Sequence, residues 1–183
     1  QAILKYIGEY ALVSYTIISY VNTIVVMSMA GIAQGTQPLI SYYYGKNEPE
    51  KYKKLLKYGM AAAAAGSVAA VLVCYVGAGS IVRLFLKESE ASLIVYSVRV
   101  LRIFILSFLL AGLNVVLGGY FTSVEKAGFA TMISLTRSLV ALVISLVFLT
   151  AVFGGEAIWW APLIAESCCL VLSAGLYQWY RKK

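Results

Sequence analysis

Residues 10–45 read YALVSYTIISYVNTIVVMSMAGIAQGTQPLISYYYG, and no charged side chain interrupts them. A helix needs roughly 20 apolar residues to cross a bilayer, so this run is long enough with residues to spare. Its second half holds Gln34, Gln37, Pro38 and several glycines. A lipid-facing helix gains nothing from such residues, so this half is expected to face protein or water.

The surrounding chain fits the same reading. It is 61% hydrophobic with a mean hydropathy of +0.84, against roughly 45–50% apolar residues in soluble domains. An integral membrane protein is expected. The net charge of +7 does not point to nucleic acid, because the lysines cluster at the ends of apolar runs, as topogenic charges do. The chain has no Asp and no His, and of its eight acids only Glu166 lies deep in a long apolar run. An intramembrane aspartyl protease, a His-ligated metal site and a Ser–His–Asp triad all lack their parts. Cys74, Cys168 and Cys169 sit in apolar runs without metal-ligand spacing and read as small buried hydrophobes. Neither an enzyme nor a cofactor is expected. The chain opens at Gln1 without a cleavable leader pattern and reads as a piece of a longer protein beginning in mid-fold.

Five membrane helices are predicted, at about 10–44, 58–82, 103–124, 132–153 and 158–180, with a polar lead-in to the third from Ala91. Connections are short. In Asn47-Glu48-Pro49-Glu50, Asn47 is placed to cap the next helix and Pro49 suits its first turn. The amphipathic segment Lys51-Tyr52-Lys53-Lys54-Leu55-Leu56-Lys57 is expected at the headgroup level. Lys46, Lys51, Lys53, Lys54, Lys57, Lys126, Arg181, Lys182 and Lys183 fall on one side if five spans alternate. Lys5, Lys87 and Arg83 fall on the other. The positive-inside rule makes the richer side cytoplasmic, with residue 1 outside and the C-terminus inside, in a multi-pass protein of the cell membrane.

Four stretches carry a family resemblance. Gly31-Ile32-Ala33-Gln34-Gly35-Thr36-Gln37-Pro38-Leu39-Ile40-Ser41-Tyr42-Tyr43-Tyr44-Gly45 resembles a signature of the MATE (multidrug and toxic compound extrusion) transporters. Tyr120-Phe121-Thr122-Ser123 is similar to the end of that family's helix ten, and Ser134-Leu135-Thr136-Arg137 to the start of helix eleven. The segment from Phe153 through Trp159-Trp160-Ala161-Pro162 to Glu166 resembles the loop and start of helix twelve. By this match the five spans correspond to helices eight to twelve of a twelve-helix transporter, a partial C-terminal lobe (1–183) whose N-terminal lobe is missing. The resemblance implies alternating access between two lobes. It also implies efflux of small, mostly cationic organic compounds, coupled to entry of Na+ or H+. Ser138 follows Arg137 and the fourth segment lacks a proline, which departs from the family pattern. The third segment has no acid after Glu90, so the coupling acids are expected in the missing part.

Candidate site residues follow from the polar groups inside spans. A carboxylate in a span costs roughly 2.5–3.5 kcal/mol on insertion scales, so Glu166 reads as a cation contact, as a structural hydrogen bond or ion pair between helices with Arg102 as the candidate partner, or as a group exposed near the interface. Gln34 and Gln37, three apart on one helix, line a polyspecific cavity or glue helices together. Asn22 reads as glue. Pro38 frees the carbonyl of Gln34 and is expected to kink the helix, as a hinge or as a fixed bend. Asn114, among Gly112, Gly118 and Gly119, is a cavity candidate together with Tyr120. Arg137 is expected to snorkel to phosphates, and Tyr42, Tyr43 and Tyr44 to form a headgroup belt. Two rival readings remain. One is a lipid-linked oligosaccharide flippase of the wider superfamily, disfavoured by the few basic groups near span interiors. The other is a non-transporting membrane scaffold subunit. Convergence of Gln34, Gln37, Asn114 and Glu166 on one cavity would argue against a scaffold, and scatter would argue for it.

Overall fold

The computed structural model describes residues 8–182. Among the described residues seven α-helices run in order: α1 Glu9–Gly45, α2 Pro49–Arg83, α3 Ala91–Ile105, α4 Phe108–Ser123, α5 Ala127–Leu135, α6 Ala141–Phe153 and α7 Ala161–Lys182. A π-helical turn, Thr136–Val140, joins α5 to α6, and a 3-10 segment, Gly155–Trp160, leads into α7. Four helical stretches are long and apolar enough to cross a membrane: Glu9–Gly45, Pro49–Arg83, Ala127–Phe153 and Gly155–Arg181. The pair α3 and α4, bent by 40°, makes a fifth if counted as one span. The fold is an all-helical membrane bundle. The expected position of residue 1 lies outside the described residues.

The helices α1, α2 and α4 pack against one another at the centre of the bundle. Small residues permit the close approach. A Cβ added at Gly112 on α4 would overlap the Ser67 hydroxyl of α2 and lie 3.3 Å from the Ala63 carbonyl oxygen. At Gly119 it would lie 2.7 Å from Nε2 of Gln37, whereas at Gly118 the nearest atom, on Ile133, is 3.9 Å away. Two apolar cores stack along the bundle. Ile17, Ile18, Leu101, Ile105, Phe108 and Trp159 build the one towards the start of α1. Ile40, Leu56, Leu117, Tyr120, Phe121 and Ile133 build the one towards its end. Hydroxyl groups within α1 are satisfied internally: Ser14, Ser19, Thr23 and Ser28 each donate to the carbonyl four residues back, at 2.8 Å. A membrane interior tolerates polar side chains on those terms.

The helix α1 ends at Gly45 with Pro38 inside one continuous element, as the sequence led one to expect. Several other local expectations are corrected. Asn47 does not cap α2. It takes a left-handed φ of 57° and closes α1 instead, where the Glu48 amide donates to the Tyr43 carbonyl at 3.0 Å. Glu125, φ 58°, ends α4 in the same way, with the Lys126 amide donating to Phe121 at 2.9 Å. This is the Schellman pattern, closed here by Asn and Glu rather than glycine. The supposed lead-in from Ala91 is a full helix. Its buried Ser97 bonds to Ser14 of α1 at 2.8 Å. The bend after it falls at Leu106–Ser107, where the Ser107 hydroxyl donates to Phe104 at 2.7 Å.

Candidate functional site

Three polar side chains from three spans meet at Glu166. Nε of Arg137 lies 3.0 Å from one carboxylate oxygen. The side-chain amide of Asn114 donates to the other at 2.7 Å and to the Glu166 backbone carbonyl at 2.9 Å. The Ser173 hydroxyl approaches Oδ1 of Asn114 at 3.5 Å. Asn114 is 1% exposed, and the Glu166 and Arg137 side chains retain only 13% and 24% exposure. An anion at this depth is stabilised by both a full positive charge and an amide dipole.

The backbone explains the convergence. Arg137 sits in the π-helical turn, whose extra residue rotates its side chain relative to a regular α-helix. Gly154, φ 83°, reverses the chain between α6 and α7. Counted from that turn, Arg137 lies about 25 Å back along the helix and Glu166 about 21 Å forward through a 3-10 and an α segment, so they reach similar depth.

Glu166 and Arg137 also line a cavity of about 480 Å³ between α1, α4, α6 and α7. Its wall combines Phe104, Leu142 and Trp159 with the polar Ser19, Asn22 and Ser107. Trp159 is held in place by its indole N–H, which donates to the Tyr96 hydroxyl at 3.1 Å. A space of this size, mostly apolar with one carboxylate at the wall, has the chemistry to hold a small organic cation.

The expected site residues divide. Glu166 and Asn114 come together. Arg102 does not pair with Glu166: its guanidinium lies 5.0 Å from the Tyr75 ring centroid on α2, and Arg137 takes the carboxylate instead of snorkelling. Tyr120 does not share a cavity with Asn114. Six residues apart on α4, they point about 120° away from each other, and Tyr120 lies among Tyr52, Phe121 and Tyr177 at the Gly45 end. Gln37 packs on Gly119, while Gln34 is exposed. The four polar residues weighed against a scaffold therefore converge only in part. Asn22 lines the cavity rather than gluing helices. The tyrosine belt holds the chain's own lysines, with Lys46 at 4.4 Å over Tyr42 and Lys51 at 5.2 Å over Tyr43. Counting residues from the Gly154 turn does not pair them, since Arg137 lies 17 back and Glu166 12 forward, and nothing in the sequence signals the π turn.

A bundle of apolar helices around one guarded carboxylate defines a polytopic membrane protein. The chain belongs to the MatE family, whose pattern it matches over residues 1–147. It is 26% identical over 166 residues to the multidrug export protein MepA of Staphylococcus haemolyticus (strain JCSC1435), and the match covers 91% of this chain and 36% of that protein. MepA of Staphylococcus aureus (strain MRSA252) is 24% identical over the same span length. The chain thus spans just over a third of the relatives it matches. Among solved structures, the outward-facing and inward-facing conformations of a multidrug resistance MATE family transporter of the MOP superfamily each superpose with a TM-score of 0.86 at 17% identity. They cover 99% of this chain and 40% or 41% of theirs.

Proposed function

We propose that the chain forms the C-terminal lobe of a secondary antiporter that exports small organic cations across the cell membrane, driven by inward flow of Na+ or H+. The observation that carries this reading is the Glu166 carboxylate on the wall of the 480 Å³ cavity, paired with Arg137 and hydrogen-bonded by Asn114. An organic cation or a coupling ion entering the cavity competes with Arg137 for that carboxylate. Loading and release then become an exchange of partners rather than exposure of a bare charge. Phe104 and Trp159 supply the apolar and aromatic surface that a drug-like cation needs.

Membership of the MatE family and kinship with multidrug export proteins support the transport reading. Equal similarity to an outward-facing and an inward-facing transporter supports a lobe that moves as a near-rigid body while access alternates. In this reading the N-terminal lobe supplies the other half of the pathway and the coupling acids. The lysine-rich ends, with the C-terminus, lie in the cytoplasm. The flippase alternative has less support, because Arg137, the arginine lining the cavity, is already paired.

The test is drug and dye efflux by the full-length protein, with sodium and pH varied, alongside Glu166→Gln. Gradient-dependent efflux that Glu166→Gln abolishes is the expected result. No transport in either gradient overturns the antiporter, and unchanged transport in the variant reduces Glu166 to a structural role.

A further inference from the structure

A second cavity, of about 550 Å³, lies at the end of the bundle where α1 and α4 finish and α2 and α5 begin. It is remote from Glu166 and shares no lining residue with the first cavity. Three cations line it, Lys53, Lys126 and Arg181, and no carboxylate does among the described residues. Its remaining wall is aromatic, built chiefly from Tyr52, Trp179 and Tyr180. These rings are braced by neighbours: Tyr52 meets Tyr44 at 5.6 Å and Tyr120 at 6.5 Å, and Phe129 meets Trp179 at 5.6 Å. Lys126 lies 5.9 Å over the Tyr180 ring. The elements that contribute are four different helices, so the three charges are brought together by the tertiary fold and not by a run in the sequence.

We infer that this pocket binds the phosphate group of an anionic phospholipid. Three like charges around one cavity repel each other unless an anion joins them, and a phosphate accepts from lysine, arginine and tyrosine at once. The aromatic wall gives the apolar contact that a lipid's glycerol and upper chains need. The site sits where the apolar runs give way to lysines, which is headgroup depth, and basic pockets between membrane helices at that depth are suited to anionic headgroups. A zwitterionic headgroup brings its own ammonium into the same field and is disfavoured.

The full-length protein, delipidated in detergent, is offered equimolar phosphatidylglycerol and phosphatidylcholine, and retained lipid is counted by native mass spectrometry. Phosphatidylglycerol is expected to be retained preferentially. Each removal among Lys53→Gln, Lys126→Gln and Arg181→Gln weakens that retention about fivefold. A variant with Lys46→Gln, Lys54→Gln and Lys57→Gln removes the same charge outside the pocket and keeps the preference. Equal retention of the two lipids, or a loss in the Lys46/Lys54/Lys57 variant as large as in the variant with Lys53→Gln, Lys126→Gln and Arg181→Gln combined, overturns the proposal. A parallel arm adds inorganic phosphate. Displacement of bound phosphatidylglycerol only at high ionic strength supports the lipid, whereas saturation by low millimolar phosphate without lipid preference assigns the pocket to a soluble anion and overturns the lipid source.

Discussion

Nε of Arg137 and Oε1 of Glu166 stand 3.0 Å apart, and this contact ties the π-helical turn of one span to the middle of the next. Removing either charge leaves the other unpaired in a low-dielectric setting. Arg137→Gln and Glu166→Gln are each expected to destabilise the protein by about 3 kcal/mol, and the double variant by clearly less than the sum. Arg102→Gln, which loses only its place over Tyr75, is expected to cost about 1 kcal/mol or less. Unfolding in detergent measures all four. A cost for Arg102→Gln equal to that for Arg137→Gln would show that the carboxylate has been assigned the wrong partner.

Asn114 bonds both the carboxylate and the backbone carbonyl of Glu166. Asn114→Leu keeps the volume and removes the amide from both acceptors, while the Ser173 hydroxyl keeps its 2.8 Å bond to the Cys169 carbonyl. The expected cost is about 1–3 kcal/mol, read as a lowered unfolding temperature. A variant as stable as the parent protein would show that Asn114 contributes no net bonding.

Gly112 and Gly118 lie on the same helix but meet different surroundings. Gly112→Ala places a methyl against Ser67 and the rigid Ala63 carbonyl, for an expected loss of about 1–3 kcal/mol. Gly118→Ala meets only ordinary contact and is expected to be neutral or slightly stabilising, since alanine favours helix by about 1 kcal/mol. Folded yield on size-exclusion chromatography ranks the two, and the reverse ranking would refute the packing of α4 on α2.

Ser14 and Ser97 share a hydrogen bond of 2.8 Å between α1 and α3. With Cys74, Cys168 and Cys169 replaced by alanine, Ser14→Cys with Ser97→Cys is expected to form an intramolecular disulfide on mild oxidation. A gel-mobility shift that reverses with reductant is the readout. Its absence under conditions that oxidise a surface pair would mean that α3 does not pack on α1.

The membrane helices were legible because hydrocarbon imposes a coarse rule: long uncharged runs with charges at their ends. Residues 10–44 and 58–82 fall within α1 and α2, and Glu166 stood out as an acid where acids are costly. The partner of Glu166 was not legible, because a π turn changes which way Arg137 points and leaves no mark in residue type. Gln34 and Gln37 were grouped by spacing alone, yet a helix face is broad enough that one packs on Gly119 while the other stays exposed. The stretch from Ala91 reads as polar because it carries Ser97, Arg99 and Arg102, yet it folds as a helix in which a single bond to Ser14 lets Ser97 be buried.

The unbroken helix from Glu9 to Gly45 is about 55 Å long, nearly twice the roughly 30 Å of the hydrocarbon layer. It carries Ser19 and Asn22 on the wall of one cavity and reaches, through Tyr44, the aromatic bracing of the other. In the proposed antiporter such a helix would work as a lever: a tilt of about 10° about its middle moves its two tips by roughly 5 Å in opposite directions. In that antiporter, opening at one membrane face and narrowing at the other would then be a single displacement shared by the two cavities this helix reaches.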